Sequence, residues 1–274
     1  MNPISSASRP ASAGKRRFAA ALVAIAATAA AGSAFAQDAL DQIAKSRQVK
    51  IGVPTDFPPY GFVGTDLQPQ GLDVDMAKLV AAKLGAKVEL VPVTSANRVP
   101  YLQARKADLV ISTLGKNPER EKVIDFTSAY SPYFQAVFAA KGMPIKSWAD
   151  LGGKSVAVTR GSMEDQELAK VVPAGIDVKR FEDNNATVAA FVAGQTQTIA
   201  TGAAVAGNMM AKNPKLDAEY KLLLKDSPNF IGVAKGEDKL RARVNEIIAE
   251  AKKSGELDKM AQKWLGRPTG NLPE

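Results

Sequence analysis

The chain has 274 residues, no cysteine, no histidine, 6% aromatics and a formal charge of +8. Without cysteine it has no disulfide, no thiolate nucleophile and no lipid-bearing anchor. Without histidine it has no imidazole acid–base group, no Ser-His-Asp triad and no His-ligated zinc. Neither a cofactor nor a metal is expected. The first element is a leader over residues 1–36. Arg9, Lys15, Arg16 and Arg17 make its basic part, and no acid accompanies them, so half of the excess charge sits there. Residues 18–31 are an apolar run too short to span a bilayer comfortably. Ser33-Ala34-Phe35-Ala36 supplies small residues in an A-x-A arrangement. Together these read as a secretory signal peptide cut after Ala36, with an uncleaved anchor disfavoured by length. The Arg16-Arg17 pair is a weak twin-arginine hint; the ordinary secretion route is preferred. An exported protein is expected, periplasmic if the cell has an outer membrane. Its Lys and Arg are scattered, which does not suit a nucleic-acid surface.

After the leader, residues 38–47 have the spacing of a short helix and Val49–Val53 that of a strand. Residues 54–62 are dense in proline and aromatics. Phe57, Tyr60 and Phe62 on this rigid loop make either a stacking shelf for a ligand or a plug over the core. Residues 76–84 have helical spacing with Gly85 as the stop, and Asp73 and Asp75 read as its N-terminal caps. Val88–Val93 reads as a strand, 97–105 as a short helix and Ala107–Ile111 as a third strand. This β-α-β-α-β run predicts a parallel sheet with helices on its faces. Ligands bind such sheets beyond the carboxyl ends of the strands.

One loop at that edge stands out. Ser112, Thr113 and Gly115 make a small polar turn. Asn117-Pro118 then opens a helix, Asn as the cap and Pro at the first position. Arg120 falls in the first turn, where the helix dipole disfavours a cation. A surface pairing with Glu121 or Asp125 would explain it blandly. A bound anion would explain it better, since a guanidinium grips a carboxylate with two parallel bonds.

An extended connector follows to Tyr133, and the pattern then repeats. Ser155–Thr159, Asp177–Phe181 and Gln197–Ala200 read as strands, with helices after Met163, over 186–193 and through Met210. Gly161, Ser162 and Met163 open a helix whose free N–H groups could face an anion. Residues 222–224 and 229–235 read as strands, and 238–265 as a helical tail with Trp264 in the core.

In order and spacing, Asp56-Phe57-Pro58-Pro59-Tyr60, Gly71-Leu72-Asp73, Asp108 to Thr113, Pro118-Glu119-Arg120, Val123 to Tyr130, Val156 to Ser162 and Lys263-Trp264-Leu265-Gly266 resemble solute-binding protein family 3. These are the polar amino-acid binding proteins of bacterial ABC importers. The resemblance implies an α/β fold of two lobes, the type II periplasmic binding protein. Each lobe would be a mainly parallel sheet flanked by helices, and two crossover strands would join them. Lobe one would hold residues 37–133 and 231–274, lobe two 134–230. The ligand set it implies is Phe57, Tyr60, Ser112, Thr113, Gly115, Arg120, Gly161, Ser162, Met163 and Thr201. Phe57 would stack on the ligand, Arg120 would clamp its α-carboxylate, and Ser162 and Met163 would offer N–H groups. The implied protein is a monomeric binding protein, not an enzyme. It would take a small carboxylate, a polar amino acid above all, to an inner-membrane permease. The alternative is an enzyme on the same fold, similar to cyclohexadienyl dehydratase, with Asp56 and Glu164 as the acids near the cleft. One departure matters. The resemblance implies an Asp for the α-ammonium where this chain has Gly202. Asp165, Glu182 and Asp183 are then candidate substitutes, or carbonyls and Thr201 serve; otherwise the ligand has no free ammonium.

Overall fold

The computed structural model describes residues 38–273. The expected signal peptide lies outside them. Helix α1 (Ala39–Ser46) starts on Asp38, whose side chain accepts from the Leu40 N–H. Strand β1 (Gln48–Val53) follows. The proline-rich segment is not a bare loop. It folds into a small antiparallel sheet, β2 (Asp56–Phe57), β3 (Gly61–Val63) and β4 (Pro69–Gln70). Then come α2 (Leu72–Lys83), β5 (Lys87–Pro92), α3 (Arg98–Gln103), β6 (Leu109–Leu114), α4 (Pro118–Glu121) and β7 (Ile124–Ser131).

The second run is β8 (Phe134–Ala140), β9 (Ser155–Thr159), α5 (Met163–Val171), β10 (Asp177–Phe181), α6 (Asn184–Val192), β11 (Thr198–Gly202), α7 (Ala203–Lys212) and β12 (Ala218–Asp226). The chain returns with β13 (Asn229–Ala234), α8 (Asp238–Lys253) and α9 (Glu256–Leu265). Two five-stranded sheets result, ordered β5-β1-β6-β13-β7 and β10-β9-β11-β8-β12. In each, four strands run one way and a single strand, β13 in the first and β8 in the second, runs antiparallel to both of its neighbours. Each is the strand that the chain enters on passing from the other sheet.

The first sheet is buried on both faces, so β6 and β13 are buried at every position. That explains their unbroken apolar reading. Its core joins Val80, Ile111, Ile124, Val244 and Ile248 into one cluster. The second sheet keeps two smaller clusters. One includes Val137, Val156 and Leu168, the other Phe138, Phe191 and Ile199. The two passages are tied together: the Asn229 Nδ2 donates to the Ser131 Oγ at 2.9 Å, and the Ser227 N–H to the Tyr133 carbonyl at 3.0 Å.

Three local expectations change. The tail is two helices rather than one, broken at Gly255, whose φ of 76° is left-handed. Glycine adopts that conformation without penalty. Ser112 and Thr113 belong to β6, not to a loop. Asp73 and Asp75 are not caps. Helix α2 begins at Leu72, with Gly71 in the cap position and no side-chain bond there. Asp75 instead accepts from Lys263 Nζ at 2.7 Å and Trp264 Nε1 at 2.8 Å, tying α2 to α9. The indole also meets Phe62 edge-on at 5.9 Å.

Candidate functional site

The carboxyl ends of six strands, three from each sheet, converge on one cavity. Pro54 follows β1, Val93 to Arg98 follow β5, and Ser112 and Thr113 end β6. From the other sheet come Thr159 at the end of β9, Asn184 just after β10, and Ala200 and Thr201 in β11. This is where an open parallel sheet presents a ligand site, here twice over and face to face. The lobes stand closed on it. About 20 Å³ lies within reach of the centre of a water molecule.

Of the expected ligand set, Phe57, Ser112, Thr113, Ser162 and Thr201 line the cavity. Tyr60, Gly115, Arg120, Gly161 and Met163 do not. Tyr60 is a plug, buried behind Phe57 with ring centroids 5.9 Å apart. Burial, and then the charge of Asp73, push its phenol pKa far up. Gly115 and Met163 meet across the cleft; a Cβ on Gly115 would lie 2.7 Å from the Met163 Cε. Part of the N-terminus of α5 is taken up locally, the Ser162 N–H by the Thr159 carbonyl at 3.1 Å. Ser162 Oγ accepts from the Asp165 N–H, and Asp165 Oδ2 accepts from the Gly161 N–H.

Among the described residues Arg120 forms no ion pair: Glu121 pairs with Lys116 and Asp125 with Lys235. Its guanidinium donates to the Gly115 carbonyl at 2.8 Å and, across the cleft, to the Gly161 carbonyl at 3.1 Å. Asn117 caps it, accepting from the Arg120 N–H at 2.9 Å. Burial, and then the charge of Arg98, pull its pKa down to about 9, still protonated at neutral pH.

Arg98 is the guanidinium that lines the cavity, and the expectations missed it. It is 5% exposed at the first position of α3. The Asn97 side chain accepts from the Thr94 N–H at 2.9 Å and fixes the turn before it. Nη1 donates to the carbonyls of Ser112 at 2.6 Å and Thr113 at 3.3 Å. The buried Nε has no partner among the described residues. Burial pulls the pKa of Arg98 below its usual value, and Glu164 opposes this most strongly. The segment after β5 obeys the strand-end rule used for its neighbours, and that rule was the available signal.

Glu164 faces the cavity from lobe two, 5% exposed in the first turn of α5. Tyr133 Oη donates to its Oε1 at 2.5 Å. Burial, and then Glu164, hold the Tyr133 phenol well above the usual range, so it stays a donor. The other acids considered are engaged elsewhere. Asp165 pairs with Arg180 at 2.7 Å, Glu182 with Arg160 at 2.8 Å, and Asp183 accepts from the Ala186 N–H at 2.7 Å as the cap of α6. Asp56 takes two donors of Asn184 across the cleft, the N–H at 2.7 Å and Nδ2 at 3.1 Å.

Two facing sheets with polar strand ends, a buried cation in one lobe and a buried acid in the other define a receptor that closes on a small charged solute. The model of the bacterial extracellular solute-binding proteins, family 3, matches residues 49–267, and the chain belongs to that family. It is similar to the glutamine-binding protein of a Bacillus subtilis (strain 168) ABC transporter, 29% identical over 234 residues, covering 84% of this chain and 85% of that one. An ancestral arginine-binding protein bound to arginine superposes with a TM-score of 0.76 at 35% identity, over 80% of this chain and 98% of that one. An ancestral amino acid-binding protein described as a precursor of cyclohexadienyl dehydratase gives 0.75 at 31%, over 82% and 99%. The protein is a solute-binding protein of the amino-acid transport type, not an enzyme.

Proposed function

We propose that the protein captures a small carboxylate, a polar amino acid above all, between its lobes and delivers it to an ABC permease in the inner membrane. Capture would take place in the periplasm, and the protein would act as a monomer. The observation that carries this is Arg98: a buried guanidinium lining the cavity, one edge on two carbonyls and its Nε without an acceptor. Two guanidiniums close enough to repel each other leave a site that an incoming anion relieves. We assign the carboxylate clamp to Arg98, with Arg120 as a second charge behind it and a bond across the cleft. Phe57 would cover the ligand, and the hydroxyls of Ser112, Thr113, Ser162 and Thr201 would take its polar groups. The lobe boundaries that fit this reading are 37–133 with 231–274, and 134–230. The dehydratase-like alternative is not favoured by any contact at the site.

The test is a thermal-shift screen of amino acids against keto and hydroxy acids at millimolar concentration, since stabilisation follows saturation. Arg98→Lys is expected to weaken the best ligand about 100-fold, because a point charge cannot replace a two-pronged clamp. Arg120→Lys should weaken it less. A ligand retained at full affinity by Arg98→Lys would remove Arg98 from the site.

A further inference from the structure

A second hollow, a groove open to solvent, lies behind Tyr60. Among the described residues none lines both the groove and the cavity. The packed rings of Phe57, Tyr60 and Tyr133 stand between them: Phe57 and Tyr133 line the cavity, Tyr60 the groove. The end of β11 also separates the two, with Thr201 on the cavity and Ala203, just past the strand, on the groove. About 390 Å³ of the groove lies within reach of the centre of a water molecule. Small-molecule pockets are on the order of 300–1,000 Å³.

An irregularity in an edge strand builds the rim. Strand β12 is the last strand of the second sheet. In an even pleat Tyr220 and Leu223 would face opposite ways. Lys221 is an extra residue that shifts the register, so Tyr220 pairs with Phe138 and Leu223 with Ala136. Those partners are two apart on β8 and share a face, and Tyr220 and Leu223 therefore share one too. They are 54% and 51% exposed, whereas Tyr60 at the base is buried. Two large apolar groups turned together over an apolar groove mark a surface suited to a ligand.

Arg267 is the one charged group among the described residues that line this groove. It follows α9, and its guanidinium carbon lies 4.8 Å from the centroid of the Phe134 ring. Among the described residues that guanidinium takes part in no hydrogen bond or ion pair. Asp226 borders an adjoining hollow that Arg267 also lines, and the two are not paired. A guanidinium resting on a ring keeps its edge N–H groups for a carboxylate. We propose that the groove is a second binding site, for a small aromatic carboxylate. The carboxylate sits on Arg267, and the ring system lies between Tyr60 at the base and Tyr220 and Leu223 at the rim. Tyr60, Phe134 and Tyr220 offer three ring surfaces, which favours an aromatic body over an alkyl chain.

Isothermal calorimetry with 2-naphthoate tests this, with 2-naphthamide as the uncharged counterpart and octanoate as the aliphatic acid. The naphthoate should bind with a dissociation constant of about 1 mM or below. The amide should bind about fivefold more weakly, and octanoate more weakly than the naphthoate. Arg267→Met keeps an apolar stem against Phe134 and removes the charge, so acid and amide should come within about twofold of each other. Tyr220→Ala should weaken acid and amide alike, by about fivefold. Arg98→Lys alters the cavity and not the groove, and should leave the naphthoate within about twofold of wild type. A naphthoate lost in Arg98→Lys would lie in the cavity, and the groove assignment would fall. It falls equally if naphthoate does not bind, if Arg267→Met or Tyr220→Ala binds it as wild type does, or if octanoate binds more tightly. The substituted residues in the groove are exposed, and the wild-type comparison of acid with amide needs no variant: equal affinities overturn the role of Arg267.

Discussion

Asp73 looks from its sequence position like a helix cap and is instead a buried acceptor, fully inaccessible to solvent. Thr113 Oγ1 donates to it at 2.7 Å and Tyr130 Oη at 2.6 Å. It thereby holds Thr113, whose φ of 45° is unusual for a β-branched residue, at the cavity wall. Burial raises its pKa from 3.8 to about 6, against the pull of those two bonds and of Arg98. The folded protein therefore holds this proton more tightly than the unfolded chain does. Between about pH 4 and 6 the group's contribution to stability falls as pH rises, on the order of 2–3 kcal/mol across the window. Above pH 6 the cost stays in full, and below pH 4 it is absent. The paired acids Asp125 and Glu167, whose pKa values are lowered, slope the other way. The difference between wild type and Asp73→Asn isolates the effect. Relative to the variant, the wild-type melting temperature should climb as pH drops from 6 to 4; a flat difference would show that Asp73 does not titrate there. Arg98 and Arg120 show why residue roles were only partly legible in the sequence. Arg120 announced itself by opposing a helix dipole next to a cap. Arg98 does so too, but it follows a strand end whose turn, Thr94–Asn97, carries no such signature. What sends one guanidinium to the cavity wall and the other across the cleft to the Gly161 carbonyl is tertiary placement, which no local pattern encodes.

Elements were more legible than residues because period and punctuation are local. The apolar runs of β1, β6 and β9, the Asn117-Pro118 start and the glycine stops all mark their own positions. The small sheet β2-β3-β4 was hidden, since its strands are two or three residues long and prolines mask the pairing. It matters for closure. Strand β2 carries Asp56 to the first turn of α6 in the opposite lobe, where the carboxylate accepts two bonds from Asn184. An anion at a helix N-terminus gains from the dipole as well. Helix α4 does the same work from its own side. Asn117 Nδ2 donates to Gln166 Oε1 at 2.5 Å, beside the Arg120 bond to Gly161. These bonds exist only when the lobes meet, so they stabilise the closed form without ligand. Hydrogen bonds to a charged group contribute about 1.5–3 kcal/mol. Asp56→Ala should therefore open the ligand-free protein and weaken ligand binding by about tenfold or more. Small-angle scattering would show a larger radius of gyration for the variant without ligand, converging with wild type at saturation. Identical radii and affinities within about twofold would mean the bond adds nothing to closure.

At the scale of the molecule the two lobes are unequal in their cores. The first sheet packs α2, α8 and α9 into a single cluster that runs from Ala39 to Leu272 and takes in Tyr130 and Tyr133 at the passage. The second sheet divides its apolar side chains between two separate clusters, one on each face. Stability scales with the apolar surface removed from water, so the second lobe has less to hold it when the lobes part. Local opening follows the same rule, with amides in small cores exchanging first. Native-state hydrogen exchange on the ligand-free protein should then find β9 and β11 less protected than β1 and β6, although all four are central strands. A ligand held in the cavity between the sheets ties the weaker lobe to the stronger. At a hundred times its dissociation constant it adds about 2.7 kcal/mol to the folded state, and that gain should appear chiefly as slower exchange in β9 and β11. The melting temperature of a chain this size should rise by about 2–4 °C. Equal protection of the two sheets before ligand, or slowing confined to the first sheet after it, would contradict a ligand that bridges both lobes.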